Sequence, residues 1–423
     1  MLRTLIAWKL RLLSVAVLAK YKPIIVAVTG SVGKSSTKEA IFEILQTAYS
    51  VRINKANYNT EIGVPLTILG SDAPGRNIFK WKLVFLKALA LILFKKPYPQ
   101  VLVLEMGADR PGDLEYLTSF VKPNISVVMS VGISHLEFFK TREAIAREKG
   151  ALLRALSESG LAVLNADDEM ALGLKSQTKG RVLAYGFSSS ADFRAENVRL
   201  TADGGRFKSQ NFDLINGDNR VSIELEHGFG DPIICALLAA SIVGRELNIA
   251  LTETARVSRN FTGLPGRLRL IEGSGGSMII DDSYNSAPAS AIAALKVLRE
   301  FPGKRKIAVL GRMAELGEAE KEGHRSVGKR AAELGIDLLL IKNNQALMIA
   351  DGAAESGFSD NKIIKFSNAD EAIRILRDKI EPGDVVLIKA SQADYFEDII
   401  KGIMKNPVSD KYLLVDRDYT RKI

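Results

Sequence analysis

Cysteine and histidine are scarce in this chain, and long uncharged apolar runs are missing. Among 423 residues there is one cysteine, Cys235, and there are three histidines. A single cysteine excludes a disulfide within the chain and fits a reducing compartment such as the cytoplasm. The apolar segment at residues 1–20 carries Arg3, Lys9 and Arg11, so its uncharged run, residues 12–19, is too short to span a bilayer.

A strong excess of one charge sign is also lacking. The formal net charge is +9, and a quarter of the residues are charged. Such a moderate basic excess suits an anionic substrate or a membrane surface as well as nucleic acid. The sequence contains no basic tract interleaved with aromatic residues, no zinc-ligand spacing and no helix-turn-helix pattern. We therefore expect no nucleic-acid partner.

Two apolar segments with basic residues raise the question of a membrane surface. They are residues 1–20 and 79–96, and the second combines lysines with Trp81, Phe85 and Phe94. Such segments can lie on an anionic bilayer with their lysines extended toward water. The alternative is two apolar helices that pack on each other or on the core. The sequence predicts a cytoplasmic protein and leaves peripheral membrane contact open.

A glycine-bearing turn follows the apolar run at residues 24–27. The order strand, glycine turn and helix start directs backbone N–H groups at the phosphates of a nucleoside triphosphate such as ATP. Gly30 and Gly33 permit this backbone, Lys34 supplies a cation, and the Ser35 hydroxyl can hold Mg²⁺. Val28 occupies the place of the first glycine of the full phosphate-loop pattern, so this is a short variant. The predicted nucleotide-binding residues here are Thr29, Gly30, Ser31, Val32, Gly33, Lys34, Ser35 and Ser36.

The remaining pattern predicts an α/β fold in two units. Apolar strands at residues 24–28, 101–105, 125–131 and 161–164 alternate with helices, which indicates a mainly parallel sheet. Residues 192–226 change to short alternation with glycine turns, which predicts a β-rich insertion, and a helix follows near residues 233–243. A second alternating series, with strands at 278–281, 307–310, 338–341, 363–366 and 385–388, predicts a doubly wound, Rossmann-like unit without a dinucleotide-binding motif. We expect an N-terminal helix at residues 1–21, a central ATP-binding domain at 22–264 and a C-terminal domain at 265–423.

Three polar residues of the first unit follow elements that end near the phosphate loop. Glu105 ends an apolar strand, and His135 follows the next one, so both should reach the carboxyl edge of the sheet, where a carboxylate is a natural Mg²⁺ ligand. Lys149 lies on a helix a little further on. The alternatives are a capping glutamate, a hydrogen-bonded structural histidine and a surface lysine.

A polar turn follows the first strand of the second series. Asp282, Tyr284 and Asn285 lie at the end of this strand, just before a helix that starts near Ala289. A turn in this place can contact a ribose, a base or a phosphate. The alternative is a helix entry capped by aspartate, in which Asp282 and Asn285 need no ligand.

Several stretches of the sequence, including those described above, resemble the Mur ligase family in the same order along the chain. The resemblance extends over residues 24–416 and is strongest to the MurF-type branch of the family. The resemblance rests on several ordered motifs, which are hard to obtain by chance. They lie at residues 29–36, 57–65, 105–112, 135–137, 165–168, 265–267, 281–285 and 311–317.

The resemblance implies an ATP- and Mg²⁺-dependent ligase that joins a carboxylate to an amine. ATP would phosphorylate the carboxylate, and the amine would attack the acyl phosphate through a tetrahedral intermediate. Lys34 and the loop amides would stabilise the transferring phosphoryl group. The implied magnesium ligands are Ser35, Glu105, His135 and Lys149, with Lys34, Glu105, His135 and Lys149 as the catalytic set.

The same resemblance assigns further roles. Lys149 matches a carbamylated lysine, and an unmodified ammonium about 4 Å from a dication would be repelled by roughly 8 kcal/mol at an effective dielectric near 20. Arg267, Asp282, Tyr284 and Asn285 would reach ATP from the C-terminal domain, so catalysis should require domain closure. Asn57, Asn59 and Thr60 are the implied substrate residues.

The chain departs from the family pattern in four places. The N-terminal UDP-sugar-binding domain is expected to be absent, because the phosphate loop begins within thirty residues of Met1. Arg312 replaces an aspartate, residues 231–235 replace a stretch that contains His-Asn, and residues 392–394 replace an Arg-Gly pair. We therefore expect substrate recognition to differ from the family pattern at these places.

The leading expectation is addition of D-alanyl-D-alanine to a muramoyl-peptide in peptidoglycan synthesis. One alternative is ligation of another amino acid or peptide to another carboxylate, as in enzymes similar to folylpolyglutamate synthase. A second is a non-catalytic ATP-binding scaffold. The oligomeric state stays open.

Overall fold

The architecture is that of two α/β units, each built on its own sheet. The computed structural model describes residues 2–55, 57–75, 77–132, 136–203 and 206–408. Within these ranges, the strands between residues 24 and 225 form the first sheet and those between 269 and 389 form the second. Two α/β units with mostly parallel sheets confirm the predicted fold class.

The first sheet is parallel from its β2 edge through β7 and antiparallel beyond. Its strand order is β2-β3-β1-β4-β5-β6-β7-β8-β9. The central strands are buried along their length because helices cover both faces, which is why they appear as continuous apolar runs. The strands are β1 (Ile24–Thr29), β2 (Val51–Ile53), β3 (Val101–Glu105), β4 (Ile125–Val128), β5 (Leu161–Asn165), β6 (Arg181–Gly186), β7 (Phe193–Asp203), β8 (Arg206–Asn216) and β9 (Asn219–Leu225).

The helices of the first unit lie in two layers, one on each face of the sheet. Ile41 and Ile44 of one helix share a core with Ile234 and Leu237 of another on one face, and the N-terminal helix belongs to the core on the other. The helices are α1 (Leu2–Tyr21), α2 (Lys34–Leu45), α3 (Gly63–Ile68), α4 (Ile78–Leu93), α5 (Asp113–Phe120), α6 (Leu136–Phe139), α7 (Arg142–Lys149), α8 (Ala151–Arg154), α9 (Glu169–Gly173), α10 (Asp231–Glu246) and α11 (Leu251–Ser258), with a 3₁₀ turn at Leu174–Gln177.

The second sheet has the order β10-β11-β15-β12-β13-β14, and only its β10 edge is antiparallel. This order is the doubly wound arrangement expected from the sequence. Its strands are β10 (Arg269–Glu272), β11 (Met278–Asp282), β12 (Lys306–Leu310), β13 (Leu338–Lys342), β14 (Ile363–Phe366) and β15 (Val385–Lys389). The helices are α12 (Pro288–Glu300), α13 (Glu320–Glu333), α14 (Leu347–Glu355), α15 (Ala369–Lys379) and α16 (Glu397–Ile403), with 3₁₀ turns at Ser274–Gly276, Gly317–Ala319, Asp360–Lys362 and Gln392–Asp394.

An aromatic cluster joins the two units. Phe207 of β8 stacks on Phe301 of the second unit with ring centroids 5.1 Å apart. Phe229, which precedes α10, meets Phe301 edge-on at 5.0 Å. Both residues of the first unit therefore belong to the hydrophobic core of the second.

The two apolar basic segments form α1 and α4, which pack against each other. Lys9 of α1 lies 5.9 Å from the ring centroid of Phe85 on α4. At the other end, the Lys20 Nζ donates to the carbonyl oxygens of Leu91 at 2.9 Å and Phe94 at 2.7 Å. No helix in the described part of the chain has both the length and the apolar character needed to cross a bilayer.

Most predicted elements are confirmed to within a few residues, including the strand at residues 101–105 and the helix near residues 233–243. Three strands were not predicted: β2, β6 and β10. Each of them is only partly buried, so its sequence lacks the continuous apolar run of a central strand.

Candidate active site

The glycine turn between β1 and α2 has the geometry of an anion-binding loop. Gly33 precedes α2 with φ 88°, a left-handed conformation that side chains rarely adopt. Gly30 lies against β4, and a Cβ at this position would come within 2.9 Å of the Met129 Cβ. Glycine is therefore required at both positions. The first N–H groups of α2 have no partner within the helix and are available to an anion.

The loop is held in place by the segment that follows β4. The Val32 N–H donates to the Ser130 Oγ at 3.0 Å, and the Ser31 N–H donates to the Ser130 carbonyl oxygen at 2.9 Å. The Ser31 hydroxyl accepts from the Gly132 N–H at 2.9 Å. Two of the predicted loop residues, Ser31 and Val32, thus anchor the loop. The buried Thr29 hydroxyl has no hydrogen-bond partner among the described residues.

Lys34 stands at the start of α2 with its ammonium over the loop. The Lys34 Nζ donates to the Gly30 carbonyl oxygen at 2.7 Å. Burial lowers the pKa of Lys34. The Glu105 carboxylate opposes this shift, whereas the positive charge of Arg267 lowers the pKa further. The ammonium therefore interacts with charges of both signs, since Glu105 and Asp109 raise its pKa and Arg267 lowers it.

Glu105 ends β3 beside the loop because β3 is the neighbour of β1. Its backbone pairs with Val28 in the parallel register. Its buried carboxylate accepts from the Asn59 Nδ2 at 3.3 Å and from the Ser35 hydroxyl. Burial alone would raise the pKa of Glu105, but Lys38, Lys34 and Arg267, together with Ser35, hold it below its ordinary value. The carboxylate is therefore charged and adjacent to a hydroxyl oxygen, a combination that suits Mg²⁺.

Lys149 is the last residue of α7, and its side chain is buried. Burial lowers the pKa of Lys149 to about 7, with a further lowering from Lys34 and an opposing effect from Glu148. The carboxylate of Glu148 accepts from the backbone N–H groups of Gly112 at 2.8 Å and Leu114 at 2.7 Å. Glu148 thus fixes the end of α7 against the start of α5.

The second unit contributes the turn that precedes β10 and the turn that follows β11. The buried Asp281 carboxylate accepts from the Gly266 N–H at 2.9 Å, and burial raises its pKa to about 6. The next residue in the turn, Arg267, has its guanidinium 4.5 Å from the ring centroid of Tyr284. The Tyr284 hydroxyl donates to the Asn57 Oδ1 of the first unit. This hydrogen bond crosses between the two units.

Asp282 is buried and engaged within the second unit. Its carboxylate forms an ion pair with Lys389 and accepts from the Leu268 N–H at 3.3 Å. Burial raises the pKa of Asp282, against the opposing effects of Lys389 and Arg267. Lys389 also donates to the Asn285 carbonyl oxygen at 2.9 Å. This pair fixes the turn that carries Tyr284 and Asn285.

A cavity of about 650 Å³ lies between the two units. Its volume is typical of ligand sites, and its lining is mainly polar. The predicted residues among its lining are Gly30, Lys34, Asn57, Asn59, Thr60, Glu105, Lys149, Arg267, Tyr284 and Asn285. The other predicted residues within the described ranges do not line the cavity themselves and lie close in sequence to residues that do: Thr29, Ser31, Val32, Gly33, Ser35, Ser36 and Asp282. The prediction for His135 lies outside the described residues.

Sequence reasoning missed Lys38 and the C-terminal wall of the cavity. Lys38 is buried one helical turn after Lys34 and is the largest positive influence on Glu105. Its i, i+4 spacing from Lys34 placed both lysines on one helix face, a signal that could have found it. This wall consists of Ala314, Glu315, Leu316, Ser391, Gln392, Ala393 and Tyr395. Five of these residues lie in the stretches 311–317 and 392–394, which sequence reasoning noted without assigning them individual contacts.

Two of the departures from the family pattern contact each other. The Arg312 Nε lies 3.8 Å from the Asp394 Oδ1, and the Arg312 N–H donates to the Asp394 Oδ2 at 3.0 Å. Lys342 also pairs with Asp394 at 2.9 Å. The two replaced positions thus carry opposite charges within ion-pair distance, although the buried Arg312 Nε has no hydrogen-bond partner among the described residues.

A phosphate loop at the edge of a parallel sheet, facing a second α/β unit across a cavity that both units line with charged side chains, defines an ATP-dependent enzyme of two units. Models of the Mur ligase middle domain and of the Mur ligase glutamate ligase domain match residues 87–240 and 266–392. The chain belongs to the Mur ligase family, whose members are ATP-dependent ligases that form amide bonds.

Its relatives include enzymes of the MurF type. A UDP-N-acetylmuramoyl-tripeptide–D-alanyl-D-alanine ligase of Mycobacterium leprae is 31% identical over 401 residues, which cover 87% of this chain and 71% of the relative. The Escherichia coli enzyme of the same name is 30% identical over 391 residues, with 90% and 77% covered. The crystal structure of MurF ligase from Thermotoga maritima in complex with ADP has a TM-score of 0.77 at 28% identity, with 96% and 84% covered. The predicted family and enzyme class are confirmed.

Proposed function

We propose that this ligase adds D-alanyl-D-alanine to the tripeptide of a muramoyl precursor in peptidoglycan synthesis. Its supporting observation is one cavity lined by Lys34, Glu105 and Lys149 of the first unit and by Arg267 and Tyr284 of the second. The relatives named for this reaction cover most of the chain.

In the proposed reaction, a carboxylate oxygen of the muramoyl-peptide attacks the terminal phosphorus of ATP, and ADP leaves. Lys34 and the N–H groups at the start of α2 stabilise the negative charge on the transferring phosphoryl group. The amine nitrogen of the dipeptide then attacks the acyl carbon, and phosphate leaves with the electron pair of its bond to that carbon. Asn57, Asn59 and Thr60 line the same cavity and are our candidates for binding the muramoyl-peptide.

We assign ATP contacts in the second unit to Arg267, Tyr284 and Asn285, with Asp282 holding their turn. Arg267 is close enough to lower the pKa of Lys34 across the cavity, which supports one anionic ligand shared by these two cations. Positive charges from both units then converge on the polyphosphate. Residues 29–36 form the opposite contact.

Magnesium is the divalent ion that we propose for this site. The charged Glu105 carboxylate beside the Ser35 hydroxyl is a fitting pair of oxygen ligands. When bound, Mg²⁺ neutralises phosphate charge. We assign His135 and Lys149 to the same ligand set. A pKa near 7 supports carbamylation of Lys149, since the neutral amine is the form that attacks CO₂.

The activity test is a coupled assay with purified protein, ATP, Mg²⁺, UDP-N-acetylmuramoyl-tripeptide and D-alanyl-D-alanine. We expect phosphate release and one ligated product by mass spectrometry, both abolished in Lys34→Ala and retained in Lys321→Ala, which removes an exposed lysine of α13. Product formation only with another amine, such as glutamate, would instead support the folylpolyglutamate synthase-like alternative. Absence of phosphate release with every amine, both with this acceptor and with a panel of other carboxylates, would contradict a ligase and favour the ATP-binding scaffold.

We place the enzyme in the cytoplasm, where ATP is available, at the inner face of the membrane.

A further inference from the structure

The helix α1 leaves an apolar stripe exposed between Leu5 and Val15. Leu5, Trp8, Leu12 and Val15 follow one another at intervals of three and four residues, and their exposed fractions are 49%, 53%, 49% and 43%. This spacing places them on one face of the helix. The opposite face, with Leu10 and Val17, is fully buried against the first unit.

The helix α4 repeats this arrangement more strongly. Phe79, Leu83, Leu86 and Leu93 are exposed by 76%, 64%, 60% and 71%, whereas the other face packs into the core. Because α1 and α4 adjoin along Lys9–Phe85 and Lys20–Phe94, the two stripes form one surface. We call this the α1–α4 surface, and it consists of the eight exposed side chains named for the two helices. A contiguous apolar surface of this kind marks an interaction site.

The charged residues of the two helices themselves all have one sign. Residues 2–21 and 77–97 contain no aspartate or glutamate. Lys80, Lys82, Lys95 and Lys96 are exposed beside the stripe of α4, and the Lys82 Nζ lies 5.5 Å from the Phe79 ring centroid. The core of a protein interface is depleted of lysine, whereas lipid headgroups attract it.

We propose that the α1–α4 surface binds an anionic phospholipid bilayer. Both helices would lie in the plane of the interface, with their apolar side chains among the upper acyl chains and their lysines among the headgroups. Trp8 suits this position because its ring has an apolar body and a polar N–H. Each lysine contributes roughly a fivefold increase in the binding constant on an anionic surface.

The position of α1 places the proposed membrane contact close to one side of the cavity. The guanidinium of Arg3 pairs with the Glu61 carboxylate at 2.9 Å. Glu61 follows Thr60, which lines the cavity between the two units. The membrane contact therefore lies beside the proposed muramoyl-peptide loop. This surface is separate from the reacting groups, so it goes beyond the proposed ligase activity.

The test is co-sedimentation of the full chain with vesicles of phosphatidylcholine that contain 30 mol% phosphatidylglycerol or none. We expect at least tenfold tighter binding to the anionic vesicles and a weakening when salt is raised. Phe79→Gln with Leu86→Gln should reduce binding at least tenfold. The matched control is Val198→Gln with Val408→Gln, two exposed apolar residues outside the surface, and should bind like the unaltered chain. Circular dichroism checks the fold of every variant.

Three results would overturn the proposal. The first is no sedimentation of the folded chain with anionic vesicles, and the second is equal sedimentation with both kinds of vesicle. The third is a dimer in light scattering that becomes a monomer in Phe79→Gln with Leu86→Gln, because the surface would then join two copies of the chain. Activity in solution is measured on the same samples, so a failure of ligase function is recognised separately.

Discussion

Lys149 shows how a single residue that lines the cavity can weaken the fold. Its ammonium is buried near Lys34, and its only opposing influence among the causes of its shifted pKa is Glu148. Burying a cation in this way costs stability, since water is lost and a like charge is near. Functional sites often retain such costs.

We therefore predict that Lys149→Met abolishes ligation but stabilises the protein. For protein kept in CO₂-free buffer, in which Lys149 is not carbamylated, the unfolded chain keeps the proton up to an ordinary lysine pKa, whereas the folded chain loses it near 7. Stability of the unaltered protein should thus rise between pH 7 and about 10. The gain from methionine should reach about 3 kcal/mol below pH 7 and shrink as pH rises through that window.

Urea unfolding at pH 6.5 and 9 measures this difference. Lys321→Met is the control, because it removes an exposed lysine and should change neither activity nor the pH slope. A Lys149→Met protein that is less stable at both pH values would show that the lysine is a favourable part of the core.

At the scale of elements, the ends of neighbouring strands decide what faces the cavity. Glu105 ends β3, Asp282 ends β11 and Lys389 ends β15. The last two are neighbours in the second sheet and pair in the parallel register. Their ion pair holds the turn that follows β11.

Removing only one partner of the ion pair between Asp282 and Lys389 should lower the free energy of unfolding. We predict that Lys389→Met lowers the free energy of unfolding by about 3–5 kcal/mol, because a buried carboxylate is left without its partner. Combining it with Asp282→Asn should recover most of this loss. Denaturant titration of the two single variants and the double variant measures the coupling.

The same double variant tests the nucleotide role of Asp282. If Asp282 only holds the turn, the stable double variant should bind ATP with nearly the KM of the unaltered enzyme. A stable double variant with a KM raised tenfold would mean that the carboxylate also contacts ATP.

The sequence predicted elements and motifs well, and failed where contacts come from distant segments. Apolar runs located β1, β3 and β4, and the glycine turn located the loop, because these signals are local. The ion pair of Asp282 with Lys389 joins residues far apart in sequence, and the contact of Arg312 with Asp394 does the same. Such pairings depend on strand order, which a local pattern does not specify.

At the scale of the whole molecule, the site is divided between two units. The hydrogen bond from Tyr284 to Asn57 spans this division. Lys34 of the first unit and Arg267 of the second line the same cavity and repel each other, and a polyanion bound between them would offset this repulsion. The arrangement of the units thus depends on what the cavity holds.

We predict that Tyr284→Phe weakens the closed arrangement without weakening either unit. Losing one hydrogen bond should shift the balance by about 1 kcal/mol and raise the KM for ATP roughly fivefold. The control is Tyr49→Phe, which removes a hydrogen bond of 2.8 Å to the Leu247 carbonyl oxygen within the first unit. Small-angle scattering should show a larger radius of gyration only for Tyr284→Phe, and equal radii would contradict the role.

The aromatic cluster of Phe207, Phe229 and Phe301 lies at the edge of the second sheet where β11 and β15 begin, since Phe207 shares a groove there with Met278 and Val385. The cavity lies at the other edge, where the same strands end. The distance from a rotation axis at the aromatic rings to the cavity is therefore one strand length, about 17 Å for five residues. Turning the second unit by about 10° around this axis would widen the mouth of the cavity by about 3 Å. Substrate could then enter and product leave while the ring contacts persist.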